Sequence, residues 1–172
     1  MPEQLPPQDQ LQPALLDRLT DEEPDKKLEP RLQRVISKRR LREAVLRDLA
    51  WLFNTTRLDP GMDAASLPHA RKSVINYGLP ALAGQTASTI EVPDLERAIK
   101  QSILDFEPRI LPESLHVRAL ETVGLDHHNV IGVEITGHLW AQPIPLELLV
   151  RTEIDLETGQ VEVSDLAPSR VS

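Results

Sequence analysis

Cysteine is absent from this 172-residue chain, which excludes disulfides, thiol nucleophiles and thiolate metal sites and suits a reducing compartment. Aromatic side chains are scarce too. Trp51, Phe53, Tyr77, Phe106 and Trp140 make up the whole set, too few for both a core and a base-stacking platform. Basic residues run short, with 19 Lys and Arg against 27 Asp and Glu, and the net charge of -8 opposes a general attraction to phosphate backbones. No apolar run approaches the length of a membrane span. The first ten residues have neither the basic nor the apolar stretch of a secretory signal. The chain is 40% apolar, enough to bury one core, and too short for two ordinary domains.

The charge is unevenly placed. Residues 1–30 hold 3 basic and 8 acidic side chains, residues 31–47 hold 7 and 1, and residues 48–172 hold 9 and 18. Six of the 15 prolines fall in residues 1–30, where repeated loss of the backbone donor opposes regular structure. The expected organisation is a flexible Pro-rich arm over 1–30, a domain over 31–166 and a flexible tail over 167–172. Within the arm, Leu15, Leu16 and Leu19 fall on one side of a short helix near 14–19.

A helix is expected from about Ser37 to Phe53, where Leu41, Val45, Leu49 and Leu52 recur at helical spacing. Its first turns carry Lys38, Arg39, Arg40 and Arg42, against the sense of the helix dipole. Two readings fit them: a solvated face, or a surface that binds acidic groups. Asp59-Pro60-Gly61 marks a loop, and a short helix is expected between Pro68 and Gly78. A clearer helix covers about Pro93 to Phe106, with Leu95, Ala98, Ile99 and Ile103 on one face and Pro108 as a stop. The period then changes to two around Leu115–Ala119, Ile131–Ile135 and Leu146–Ile154, and the polar Asp155–Gly159 loop makes the last two strands a hairpin. Helices first and strands afterwards predict an α+β domain, with N-terminal helices packed on a mainly antiparallel C-terminal sheet.

Catalytic patterns are missing. His69, His116, His127, His128 and His138 form no paired-ligand spacing, and His127-His128 reads as a surface turn. Neither a phosphate-binding glycine loop nor a nucleophile elbow occurs, and nothing points to a metal or cofactor. The most distinctive local chemistry is Phe106-Glu107-Pro108-Arg109-Ile110, where a charged pair flanks a proline that fixes φ. As a glycosidase acid, Glu107 would need a raised pKa, and an adjacent guanidinium lowers it. A folded-back ion pair that pins the helix end and a contact offered to a partner both fit. An exposed pair of this kind would contribute only about 0–1 kcal/mol to folding.

Several stretches, in this order, carry a resemblance. They are Leu15–Leu19, Leu46–Thr55, Ser73–Pro80, Phe106–Ile110, Leu139–Pro145 and Leu149–Asp155, spread over most of residues 15–163. The chain resembles the TssE family of type VI secretion baseplate subunits and the related wedge subunits of contractile phage tails. The resemblance implies a cytoplasmic structural protein at the baseplate of a membrane-anchored apparatus. Its implied partners are TssF, TssG and TssK and the TssB/TssC sheath, with no nucleic acid and no membrane insertion. It also implies that Glu107, Pro108 and Arg109 contact the helical core of the wedge, and that the domain is similar to the strand-exchanging region of the sheath. On that basis the terminal edge, Gln160, Val161, Glu162, Val163 and Ser164, is expected to accept a sheath strand, with Val161 and Val163 facing the core. The alternatives are a peptidoglycan hydrolase, from the family's lysozyme-like label, and a stand-alone regulatory domain of the same fold.

Overall fold

The computed structural model describes residues 14–19, 37–58, 68–86, 89–120, 129–141 and 144–166. The arm outside 14–19, the tail over 167–172 and the His127-His128 turn lie outside these residues. Four α-helices precede four strands in the described chain: α1 (Leu15–Leu19), α2 (Lys38–Phe53), α3 (Pro68–Arg71), α4 (Val92–Phe106), β1 (His116–Leu120), β2 (Val130–Leu139), β3 (Leu146–Asp155) and β4 (Val161–Asp165). The strands form one antiparallel sheet in the order β1-β2-β3-β4. The fold is therefore α+β.

α2 starts where Ser37 accepts a hydrogen bond from the Arg40 N–H, a side-chain cap for one of the helix's unpaired donors. It buries Leu41, Val45, Leu49 and Leu52, while α4 buries Leu95, Ile99 and Ile103. Both stripes face the inward residues of the sheet, Ile131, Val133, Ile135, Leu148, Val150 and Ile154, in one core. Burying each such side chain is worth about 1.5–3 kcal/mol. Thr152 shares the inward face, and its hydroxyl donates to the Val133 carbonyl at 3.3 Å. On the opposite face, Arg118 lies across from Glu134 and Glu134 across from Arg151, an alternation of charge that suits an uncovered sheet surface.

The helix expected between Pro68 and Gly78 is broken into two pieces. α3 stops at Arg71, and a 3₁₀ turn follows over Val74–Asn76. Ser73 causes the break: its N–H and its hydroxyl both donate to the Ala70 carbonyl. Val74 and Ile75 are 83% and 63% exposed, so no apolar stripe holds a longer helix together. Gly78 then takes φ +122°, and a Cβ there would lie 2.1 Å from the Thr55 carbonyl oxygen. Only glycine fits this close approach. The Leu79 N–H donates to that same Thr55 carbonyl at 2.8 Å, which fastens the segment to the end of α2 and fixes Tyr77 beside it.

As expected, a left-handed glycine, Gly159 at φ +75°, closes the Asp155–Gly159 loop. Asp155 Oδ1 accepts from the N–H groups of Glu157 and Thr158, a side-chain turn of the Asx type. Each edge of the sheet lies beside a helix, α4 along β1 and α2 along β4.

Candidate functional site

Glu107 caps the C-terminus of α4, its N–H donating to Ile103 O at 2.8 Å. Pro108 turns the chain, and the next residues are stitched to the end of β2: Trp140 N–H donates to Arg109 O at 2.7 Å and Leu111 N–H to His138 O at 2.9 Å. Ile110, in a β-bridge with Leu139, is 2% exposed and anchors the turn in the core. The Glu-Pro-Arg segment is thereby held from both sides.

The charged pair is turned inward. Glu107 is only 3% exposed and the Arg109 side chain 21%, so the weak exposed pair expected from sequence is corrected to a largely buried one. Glu107 Oε1 accepts from the Arg109 backbone N–H at 3.1 Å and from its Nε at 2.7 Å, while Oε2 accepts from Nη2 at 2.5 Å. This forked geometry matches a guanidinium to a carboxylate. The helix places a second acid within reach: Arg109 Nη2 also donates to Asp48 Oδ2 of α2 at 2.5 Å. Burial pushes the Arg109 pKa down, but the hydrogen bonds and charges of Glu107, and then of Asp48, outweigh it and hold the pKa above its ordinary value. The guanidinium stays charged.

Asp48 extends the network outward. Its Oδ1 accepts from Arg47 Nε at 2.9 Å, and Arg47 Nη2 lies 2.9 Å from Asp17 Oδ1 on α1. The charges alternate along Asp17, Arg47, Asp48, Arg109 and Glu107, joining three helices. For Arg47, burial lowers the pKa while Asp48 and Asp17 raise it, and the carboxylates prevail. Its guanidinium also lies 5.1 Å from the centre of the Trp51 ring, within range of a cation–π contact.

A cleft of about 400 Å³ opens beside the turn, lined by Ala14, Asp48, Leu52, Tyr77, Phe106 and the Glu107–Arg109 segment among others. Tyr77 meets Phe106 edge to face at 5.2 Å. Burial raises the pKa of Tyr77, and the negative charges of Asp48 and Glu107 raise it further. Arg109 Nη1 is buried without a hydrogen-bond partner among the described residues. Pro108 and Trp140 are exposed beside it.

The second group of expected site residues lies elsewhere, on β4. Val161 is buried, Val163 half-buried, and Gln160, Glu162 and Ser164 exposed. The bonds Asp155 N–H to Gln160 O and Leu166 N–H to Leu149 O bracket the register. Alternation between them aims the peptide groups of Glu162 and Ser164 at β3 and those of Val161 and Val163 outward. The outward N–H of Val161 donates to Asn54 Oδ1 at 3.0 Å, and its carbonyl accepts from Asn54 Nδ2 at 2.8 Å. Arg42 holds the far end of β4 by a bidentate pair with Asp165, at 2.5 and 2.7 Å, and donates to Glu147 O at 2.6 Å. At the opposite edge, the Ala119 N–H of β1 donates to Glu96 Oε1 at 2.7 Å.

The basic start of α2 therefore has internal uses. Arg42 binds Asp165 and Arg39 pairs with Glu43. Asp48, Arg47, Asn54 and Glu96 were missed in sequence. One signal was available: Asp48 follows Arg47 and directly precedes the core residue Leu49, so an acid sits at the margin of a buried stripe in a basic stretch.

Among the described residues no cluster of three or more His, Asp or Glu could hold a metal ion, and no helix is long and apolar enough to cross a membrane. A buried carboxylate locked to a guanidinium on a turn sewn into a small α+β domain defines a structural element. Residues 39–144 match the family model described as baseplate wedge protein gp25, and the chain belongs to that family. Neither the curated proteins nor the solved structures contain a match.

Proposed function

We propose that the chain is a baseplate subunit of a type VI secretion system. In this reading it joins TssF, TssG and TssK in the wedge through the Glu107-Pro108-Arg109 end and helps nucleate the TssB/TssC sheath from the Gln160–Ser164 edge, working in the cytoplasm without catalysis. Membership of the baseplate wedge family supports a role in assembly. The observation that carries the reading is the Glu107–Arg109 turn, held from both sides with Pro108 exposed at a cleft. A turn fixed in this way offers a partner a surface whose geometry is set before binding.

The hydrolase alternative fares worse, because Glu107 accepts three hydrogen bonds from Arg109. A carboxylate engaged in this way is not presented to a substrate, as a general acid must be. Purified protein should leave cell-wall peptidoglycan intact, and turnover that vanishes in Glu107→Gln would contradict this. For the wedge role, the test is Arg109→Lys, which keeps the charge and loses the fork. The folded variant should fail to co-purify with TssF and TssG. Undiminished co-purification at equal expression would reject the contact.

A further inference from the structure

The first helix is packed inside out. α1 spans five residues, far fewer than the roughly 12–15 that an isolated helix needs in water, so a contact outside it must hold it. That contact is polar: Asp17 Oδ1 lies 2.9 Å from Arg47 Nη2, and the Asp17 side chain is only 12% exposed. The leucines face water instead. Leu15, Leu16 and Leu19 are 70%, 43% and 73% exposed. Helical geometry sets Leu15 and Leu19 on one face, Leu16 beside them and Asp17 behind. A segment docked for the sake of folding would turn its leucines inward.

The exposed apolar surface continues onto α2. The Arg47 guanidinium that holds Asp17 also lies 5.1 Å from the centre of the Trp51 ring, and Trp51 is 52% exposed. Single exposed apolar residues are ordinary on a protein surface, whereas a group gathered around one ion pair marks a contact. Ala14, just before α1, lines the same cleft as Pro108 and Arg109. The group therefore borders the turn assigned to the wedge contact.

We infer that α1, held with its leucines outward by Asp17, is a docking helix for an amphipathic helix of the wedge partner whose apolar stripe is flanked by basic side chains. The inference rests on the Glu107–Arg109 end being the wedge contact and widens that contact to α1. Leu15 and Leu19, four residues apart, form the kind of ridge that fits the groove of another helix. Residues 1–30, which include α1, hold 3 basic and 8 acidic side chains, so the complementary flank is basic. The same acidity opposes a second copy of the chain, whose own arm would repel this one. A five-residue helix against its copy also buries far less than the roughly 1,200–2,000 Å² of a stable interface.

The test is binding of the full chain to purified TssF–TssG complex. The double variant Leu15→Ser, Leu19→Ser should bind at least about tenfold more weakly and melt at the wild-type temperature, because exposed side chains can anchor a partner while adding little to folding. Wild-type binding should weaken as salt rises. Wild-type affinity in the double variant would overturn the inference. So would an affinity indifferent to salt, or a lowered melting temperature, which would assign the leucines to the fold. Self-association of the wild type that the double variant abolishes would make a second copy the occupant and would overturn it too. Arg109→Lys keeps the two readings apart. If that variant fails to bind and the double variant binds normally, α1 is no docking helix and the Glu107–Arg109 contact stands. If it binds normally and the double variant does not, the partner meets α1 and the Glu107–Arg109 contact falls.

Discussion

The two ends of the molecule proposed to meet partners are built in opposite ways. Around Arg109 the polar groups are buried and charged, and they are tied across three helices by the alternating series from Asp17 to Glu107. Along the outer edge of β4 the tie to α2 is made through the neutral peptide of Val161, held by the Asn54 amide, with the Arg42–Asp165 pair at the far end. A charge network in a partly buried site cannot give up one member without leaving another unpaired. A neutral peptide edge can trade one partner for another at little cost. The first arrangement suits a contact whose geometry is fixed before assembly, the second an edge fastened to its own helix.

Arg109 is the most sensitive point of the charged end. Arg109→Glu would set three acids, Glu107, Asp48 and the new residue, against one another and should cost about 3–5 kcal/mol, the usual effect of stranding a buried charge. For a domain of this size the thermal midpoint should drop by about 6–20 °C. A midpoint unchanged from wild type would mean that the network adds nothing to folding. This supersedes the small effect expected of an exposed pair, because Glu107 is 3% exposed.

Asp48→Asn is a milder cut. Arg109 keeps its fork to Glu107 and loses a charged hydrogen bond, for about 1.5–3 kcal/mol. Tyr77 gives this variant an optical readout, since it is the sole tyrosine of the chain. Burial, then Asp48, then Glu107 raise its pKa, so the folded state favours the neutral phenol. The corresponding stability is fully present below the ordinary phenol pKa of about 10 and fades as pH rises through the folded value. Phenolate absorbance should therefore titrate above 10 in the wild type and at lower pH in Asp48→Asn. A midpoint that ignores the substitution would mean that Asp48 and Tyr77 are not coupled.

The smallest effect belongs to the outward side chains of β4. Glu162→Gln changes an exposed residue whose peptide groups face β3, and its stability should stay within about 0.5 kcal/mol of wild type. A larger shift in a denaturant melt would show that the strand's outer face matters to folding.

Much of the scaffold is legible in the sequence because it rests on periodicity. The Leu41–Leu52 stripe, the Leu95–Ile103 stripe and the alternating Ile131–Ile135 and Leu148–Ile154 residues all mark their own elements. Gly159 marks the hairpin because few residues accept its φ. The Pro68–Gly78 segment reads less well, since Ser73 ends the helix through a local bond to Ala70 that no apolar period announces. The site is half legible. Glu107 and Arg109 are neighbours in the chain and stand out around Pro108. Asp48 lies 61 residues from Arg109 and Asn54 lies 107 from Val161, and only the packing of α2 against the sheet brings them there. The inward turn of Glu107 depends on that same packing, so its burial could not be read from adjacent charges.

A density map of the assembled baseplate would show which end of the domain meets the wedge. TssF–TssG density should sit at the Glu107–Arg109 end, in contact with the exposed Pro108 beside the cleft, and the β4 side of the sheet should face the first sheath layer. A baseplate in which the Arg109 end faces solvent, or in which the wedge core meets the outer face of the sheet, would contradict it.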